Sequence, residues 1–373
     1  MILPPTPATP GGPGAPDGQG PLFVAPPLVR SWYLLGPASE VPAGRVISRE
    51  LLGQPVVIFR GRSGPAHTLA AHCWHMGAHL GAGRVVGDRL RCPLHHWEYD
   101  GGGICRHVPG TAGAPAAARQ PAYPTAEHLG GLFVFNAPAP SFPLPSFQHL
   151  ALPRLRVSLG RPVRVRCPWY AVAANAFDKQ HLETVHRRAV REAPTVTRPD
   201  PYRIQLRYVS RVVGRSPADE TMRRLSGDRI AVTVTCWGGT VVTVESDLGR
   251  VRGALLIGLL PIASPDSPGS PATVGAHGGA AETEIRPIFT APRTHLPALD
   301  AVRLAVSRWL FSKFLERDIG ILEGMRFRPR LPLPADEPMG AYLDFLRDLP
   351  PAGQAPALPN GTAHEAGPSL RSG

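Results

Sequence analysis

The 373-residue chain is short of cysteine, with five in all: Cys73, Cys92, Cys105, Cys167 and Cys236. An odd, thin set in a chain of this length excludes a disulfide framework and leaves metal binding or plain burial. Long hydrophobic runs are also missing. The longest strongly apolar stretch, Ala254 to Ala263, contains Pro261 and falls far short of the roughly 20 residues that a membrane-spanning helix needs. The opening residues lack the basic start and continuous apolar stretch of a secretory signal, so the expected location is the cytoplasm. Dense basic runs are absent too. The 40 Lys and Arg exceed the 28 Asp and Glu to give a net charge of +12, but they are scattered and almost all Arg. That pattern speaks against a nucleic-acid partner and for a solvated surface, with a docking face for an acidic electron-transfer partner as the functional alternative. No Gly-x-Gly-x-x-Gly follows a strand-like segment, so the chain carries no flavin or nicotinamide fingerprint.

What is present is enough apolar residue, 43%, to build two cores. The Pro-, Gly- and Ala-rich ends, 1–28 and 349–373, cannot bury enough apolar surface to offset the entropy of ordering and are expected to be disordered. Residues 29–137 read as a small all-β domain: VVIFR at 56–60 and GLFVF at 131–135 are strand-like, and 84–92 reads as a hairpin turning at Gly87-Asp88. Four prolines at 138–147 suggest a linker. Residues 148–348 read as α+β. A helix is expected over Ala173 to Val190, then alternating strands at 204–208, 230–236 and 240–244, with Gly238-Gly239 as a turn. Strand-like runs at 254–260 and 282–289 flank a Ser/Pro/Gly-rich loop at 262–281, and a long helix over 297–325 follows. The order suggests an antiparallel sheet with helices on one face.

The sharpest local signal is Cys73-Trp74-His75, then sixteen residues, then Cys92-Pro93-Leu94-His95. Two thiolates and two imidazoles on two loops make a four-ligand site. Zinc is one reading, but zinc sites usually place two like ligands two to four residues apart. One sulfur and one nitrogen per loop suits a [2Fe-2S] cluster, with both cysteines on one iron and both histidines on the other. His72, His79, His96 and His107 lie nearby and read as surface or hydrogen-bonded residues; His96 falls one step past the ligand spacing.

The second signal is Asn175-Ala-Phe-Asp178-Lys-Gln-His181-Leu-Glu-Thr-Val-His186. Five residues of regular helix separate two side chains by about 140°, which disfavours the His-Glu-x-x-His protease site. A helix that bends or bulges here still lets both rings reach one metal. Two imidazoles and a carboxylate form the facial triad of non-heme iron(II) oxygenases. Asp318 is the candidate acid. It falls on the apolar face of FSKFLERDIGILE, where an unpaired carboxylate is costly, whereas Glu316 and Glu323 lie nearer the polar side; the plain alternative is a buried arginine partner.

The first motif resembles a Rieske domain. Respiratory Rieske proteins carry two further cysteines where this chain has Ala78 and Leu94, so the loops are unbridged, as in Rieske oxygenases. The resemblance implies a reduction potential toward the low end of the roughly −150 to +300 mV range of such clusters. Together the two motifs resemble the catalytic (alpha) oxygenase subunit of the Rieske non-heme iron, aromatic ring-hydroxylating family, over about residues 30–347. The resemblance implies a helix-grip catalytic domain. It assigns Cys73, His75, Cys92 and His95 to the cluster and His181, His186 and Asp318 to a mononuclear Fe(2+). It makes Asp178 a bridging catalytic acid between His181 and the cluster ligand His95 of a neighbouring subunit, within a homotrimer. It further implies dioxygen as co-substrate and a separate reductase, with or without a ferredoxin. Hydroxylation of a small hydrophobic aromatic or alicyclic substrate is the expected reaction; desaturation or O- or N-demethylation, and electron transfer alone, are the alternatives. Phe177, Leu182, Trp237 and Phe314 are candidate pocket residues.

Overall fold

The computed structural model describes residues 27–352 except 228, 250, 263–281 and 332. Most of both expected tails, and all but Ile262 of the 262–281 loop, lie outside the described residues. The described chain begins and ends side by side. The Arg30 N–H donates to the Pro350 carbonyl (3.0 Å) and the Ala352 N–H to that of Leu28 (2.6 Å). Leu28, Val29 and Leu349 are buried, so these residues belong to the folded body and not to the tails in which Leu28 and 349–352 were expected.

The N-terminal unit is built from short antiparallel strands. Gln54–Arg60 pairs with Val46–Leu51 and Ala66–Ala70, and Gly131–Phe135 lies between Trp32–Pro37 and Thr125–His128. A smaller four-stranded sheet, Arg84–Val86, Arg89–Arg91, Glu98–Tyr99 and Cys105–His107, is inserted between Ala66–Ala70 and its partner Ala122–Tyr123. Its hairpin turns at Gly87, at a φ of +59°. Leu80, Leu90, Trp97 and Tyr99 of the insert pack around Cys73 and Cys92 in a core completed by Val57, Phe59 and Leu69 of the strands beneath.

The proline-rich 138–147 stretch has no regular structure, yet it is packed. Phe142 and Phe147 are buried, and the Trp32 indole Nε1 donates to the Phe142 carbonyl (3.0 Å).

The C-terminal unit is a nine-stranded antiparallel sheet. Its long strands are Arg203–Val212, Ile230–Trp237, Val241–Asp247, Arg252–Ile262 and Glu282–Pro292. Among the described residues five helices accompany it: α1 (Trp169–Ala174), α2 (Lys179–Thr184), α3 (Pro217–Ser226), α4 (Pro297–Leu322) and α5 (Glu337–Asp348). The single helix expected over Ala173 to Val190 does not form. A 3-10 turn at Asn175–Phe177 follows α1, and Asp178 leaves the helical region (φ −97°, ψ 106°) to cap α2 through its carboxylate. Aspartate competes for backbone N–H groups in this way and so favours caps over helix interiors. Residues Arg188–Val190 become an edge strand instead. Helices α3 and α5 were not anticipated, although Ser216 and Asp219 form a legible capping box at the start of α3.

The two units share a core. Trp32, Leu34, Phe133 and Phe135 pack with Trp237, Val241, Leu256 and Ile288. Gly258 lets the sheets meet, since a Cβ there would lie 2.7 Å from the Leu34 Cβ.

Candidate metal centres

The two Rieske-type loops are pinned at their necks. The Cys73 N–H donates to the Ala78 carbonyl (2.9 Å), the Gly77 N–H to the Cys73 carbonyl (2.8 Å), and the Cys92 N–H to the Trp97 carbonyl (2.8 Å). Buried Gln120 accepts from the Trp74 N–H (3.0 Å) and donates to the carbonyls of Ala70 and His72 (2.6 and 2.7 Å), tying the first loop to the strand beneath. Cys73 and Cys92 are 4% and 2% exposed, and their thiols interact. His75 and His95 are exposed, with ring centroids 4.8 Å apart, and Trp97 stacks flat on His75 at 4.3 Å. Paired sulfurs inside and paired imidazoles outside fit a cluster whose two irons have different ligands. Burial pushes the free Cys73 thiol up; bound iron would hold it as thiolate. The Tyr99 hydroxyl lies 3.1 Å from Cys73 Sγ. The neighbouring histidines are otherwise engaged: His72 Nδ1 lies 3.1 Å from the Gly77 carbonyl, and His79 Nδ1 accepts from the Gly81 N–H (3.1 Å). His96 sits exposed at a φ of +58°.

The second constellation converges from three places. His181 lies on α2, His186 two residues past its end, and Asp318 on α4. His181 Nε2 and His186 Nε2 are 3.0 Å apart, and each lies 2.8 Å from Asp318 Oδ1. The five-residue step works because the helix stops at Thr184 and the chain turns sharply, with Arg187 at a φ of +53°. Burial pushes His186 down, leaving it neutral with a lone pair to offer. Burial pushes the Asp318 carboxyl up, but hydrogen bonds to His181 and His186 outweigh it and hold the group below its ordinary value. The chemistry of the set, two imidazoles and one carboxylate within one ion's reach, fits a facial iron site. Glu316 pairs instead with Lys313, and Glu323 with Arg166, at the surface.

Asp178 is half-buried, and its Oδ1 accepts the His181 N–H (2.9 Å). Phe314 stacks on His186, with centroids 3.4 Å apart and planes 7° apart. Behind Phe314 lies a buried charge network that the sequence did not announce. Arg188 donates to Asp219 (3.0 Å), which also receives the Ser216 hydroxyl (2.6 Å) and lies 3.4 Å from Arg317. The capping box marks Asp219, but nothing in the order of residues brings Arg188 to it.

Above the triad, α4 and the sheet enclose a cavity of about 670 Å³. Leu182 and Phe314 line it, as expected. Phe177 and Trp237 do not: Phe177 stacks on Tyr342 (4.8 Å), and Trp237 packs into the shared core with its Nε1 on Thr243 Oγ1 (3.1 Å). Asn175 lines the cavity, and its Nδ2 is buried without a partner among the described residues. No helix of the described residues is long and apolar enough to cross a membrane.

Residues 31–124 match the Rieske [2Fe-2S] domain family. The chain is 33% identical over 177 residues to aminopyrrolnitrin oxygenase PrnD of Pseudomonas fluorescens, covering 43% of this chain and 46% of that protein. It is 36% identical over 126 residues to the oxygenase component of a 3-ketosteroid-9-alpha-monooxygenase of Rhodococcus rhodochrous, covering 34% and 32%. The chain thus spans less than half the length of these relatives. Among solved structures, dicamba monooxygenase bound to dicamba superposes with a TM-score of 0.64 at 19% identity, covering 87% of this chain and 98% of that one. Pseudomonas putida NdmA gives 0.61 at 19% identity, covering 85% and 89%. The N-terminal unit is therefore a Rieske domain. The β-rich Rieske unit followed by an antiparallel sheet with helices is the fold of dicamba monooxygenase and NdmA, and stretches of the chain are homologous to oxygenase components.

Proposed function

We propose that the chain is the oxygenase component of a multicomponent Rieske system, hydroxylating a hydrophobic aromatic or alicyclic substrate with dioxygen. The observation that carries this reading is the His181/His186/Asp318 triad, closed to 2.8–3.0 Å at the floor of an apolar cavity, in a chain with a Rieske domain. Cys73, His75, Cys92 and His95 would hold the cluster, and His181, His186 and Asp318 the mononuclear iron. When bound, the cluster supplies single electrons and the mononuclear iron activates dioxygen. The chain's own residues do the rest. Three ligands on one side leave the cavity side open for reactants. Apolar walls exclude water, and Phe314 fixes the plane of His186. Asp178 holds the backbone of His181 in place and, as the bridging acid, reaches the partner subunit's His95.

That bridge implies a closed head-to-tail ring, a homotrimer. In support, His75 and His95 are flanked by Met76 and Leu94, which are 66% and 54% exposed and suited to burial by a neighbour. Electrons come from a separate reductase, directly or through a ferredoxin, in the cytoplasm. Iron content with product analysis tests the proposal. The purified protein should hold three irons per chain and consume dioxygen only with reductase and substrate present. Two irons per chain would make it an electron carrier, and stoichiometric zinc in a colourless protein would end the reading. Desaturated or demethylated product would keep the site and change the reaction.

A further inference from the structure

The triad occupies one end of a long cavity. Helix α4 lines it with a stripe at steps of three and four residues, from Val302 through Phe311 to Asp318 and Leu322. Val302 precedes Asp318 by about 24 Å of helix rise, so the lining runs about that far along the helix. A space of that length suits an elongated occupant. Around the triad the lining is buried, His181, Leu182 and Leu322 included. Exposed lining gathers at the other end, where Val302 is 59% exposed and Gly249 and Arg252 reach solvent.

Between that mouth and the triad, sheet and helix approach at Gly253. A methyl there would sit 3.5 Å from Ser307 Oγ and 3.6 Å from Phe311 Cε2, so the missing side chain leaves a gap about one methyl wide. Ser307 is tied to the Thr290 carbonyl (3.0 Å). Phe311, half-buried, is the wall that can yield. Arg303 lies at the mouth, on the lining and half-buried, with no ion-pair partner among the described residues. Asp300, one turn away and within electrostatic reach of Arg303, is held by the Thr294 N–H and hydroxyl (2.9 and 2.6 Å), and Arg252 by Asp247 (2.9 Å).

We propose that the cavity loads from the end remote from the triad, past a throat formed by Gly253 and Phe311, and that its occupant is a long apolar molecule whose anionic end rests at Arg303. This deepens the oxygenase reading, since it takes the cavity as the substrate site. The test uses iron-loaded full-length protein and two fluorescent probes, cis-parinaric acid and the matching alcohol, in stopped-flow and equilibrium binding. Wild type should bind the acid at least about tenfold tighter than the alcohol, a difference of roughly 1.4 kcal/mol, and Arg303→Gln should erase that preference. Gly253→Val should slow association of both probes at least about tenfold with iron per chain unchanged, while Phe311→Ala should speed it. Equal affinity for acid and alcohol in wild type, or no binding of either, overturns the proposed occupant. Wild-type association rates in both Gly253→Val and Phe311→Ala overturn the throat. Purified wild type that takes up no triad iron yet shows the acid preference and the throat effects would sink the oxygenase reading and leave this one standing.

Discussion

The two candidate metal sites are built in opposite ways. In the Rieske insert all four proposed ligands lie between residues 73 and 95, and local hairpin and loop hydrogen bonds set their positions. Its cysteines are buried and its histidines exposed, so the site faces outward, as the proposed electron entry requires. In the C-terminal unit 137 residues separate His181 from Asp318, and the three side chains meet only because α4 docks over the sheet. Its histidines are 8% and 1% exposed, as suits a chamber that keeps water out. The first site should survive disturbance of the wider fold, and the second should not.

The largest effects should come from removing ligands, and they should separate cleanly. His95→Ala should abolish the paramagnetic signal of the reduced cluster, while His96→Ala should keep it. Asp318→Ala should lose most of the mononuclear iron and all turnover, yet retain a reducible cluster, because strand and loop hydrogen bonds within the insert position its own ligands. Iron per chain with spectroscopy on the same sample decides. Three irons and normal turnover in Asp318→Ala would move the third ligand elsewhere.

Next in size is the charge network of the C-terminal unit. Arg188 and Asp219 are both nearly fully buried, whereas the comparable Arg91–Glu98 pair of the Rieske insert leaves its arginine partly in solvent. Removing one partner of a buried pair strands the other charge, at about 3–5 kcal/mol. Asp219→Ala should therefore lower stability by about that much in denaturant unfolding, and Glu98→Ala by less. Burial pushes the Asp219 carboxyl up, but the bonds from Ser216 and Arg188 prevail and hold it below its ordinary value. Its contribution is thus present above the ordinary carboxylate pKa and lost as pH falls through the depressed one. The gap between wild type and Asp219→Ala should narrow only in acid. Equal losses at both sites would show that burial does not distinguish the regions.

The same contrast explains what the sequence disclosed. Cys73, His75, Cys92 and His95 were legible because their spacing is the local geometry. GLFVF and the paired strands of the large sheet were legible from alternation and β-branched content, which depend on near neighbours. His181, His186 and Asp318 were reachable only by combining a spacing with the costly placement of an acid on an apolar face. Arg188 was not reachable, because its partner Asp219 is set by strand pairing and helix docking. The helix expected over Ala173 to Val190 failed for a local reason: Asp178 offers its carboxylate to the His181 N–H more readily than it sits within a helix. Phe177 and Trp237 were misjudged because apolar character says a residue is buried, not which core receives it.

The link between the two regions should respond less than either ligand set. Asp178→Asn keeps the shape of the α2 cap and removes the charge proposed to join His181 to the partner subunit's His95. A supporting residue of this kind typically changes affinity or activity 10- to 100-fold. The expected outcome is a reducible cluster, most of the iron retained, and single-turnover product from pre-reduced protein slowed by about that factor. Wild-type single turnover would remove Asp178 from the electron route, and a fully active monomer in light scattering would remove the bridge.

The smallest effect should fall on the cluster alone. With Cys73 as an iron-bound thiolate, the Tyr99 hydroxyl 3.1 Å away is the only one of the two groups with a proton to donate. A donated hydrogen bond strengthens as negative charge on the sulfur grows, so it favours the reduced cluster and raises its potential. Tyr99→Phe removes the hydroxyl and leaves the buried ring in the insert's core. One hydrogen bond of about 0.5–1.5 kcal/mol corresponds to roughly 20–60 mV for a single electron. The potential of Tyr99→Phe, measured by titration under spectroscopic control, should therefore fall by about that amount, with triad iron content unchanged. A potential equal to wild type would mean the hydroxyl does not donate to the sulfur. A loss of triad iron would mean that the Rieske insert and the catalytic chamber are coupled more tightly than their separate construction implies.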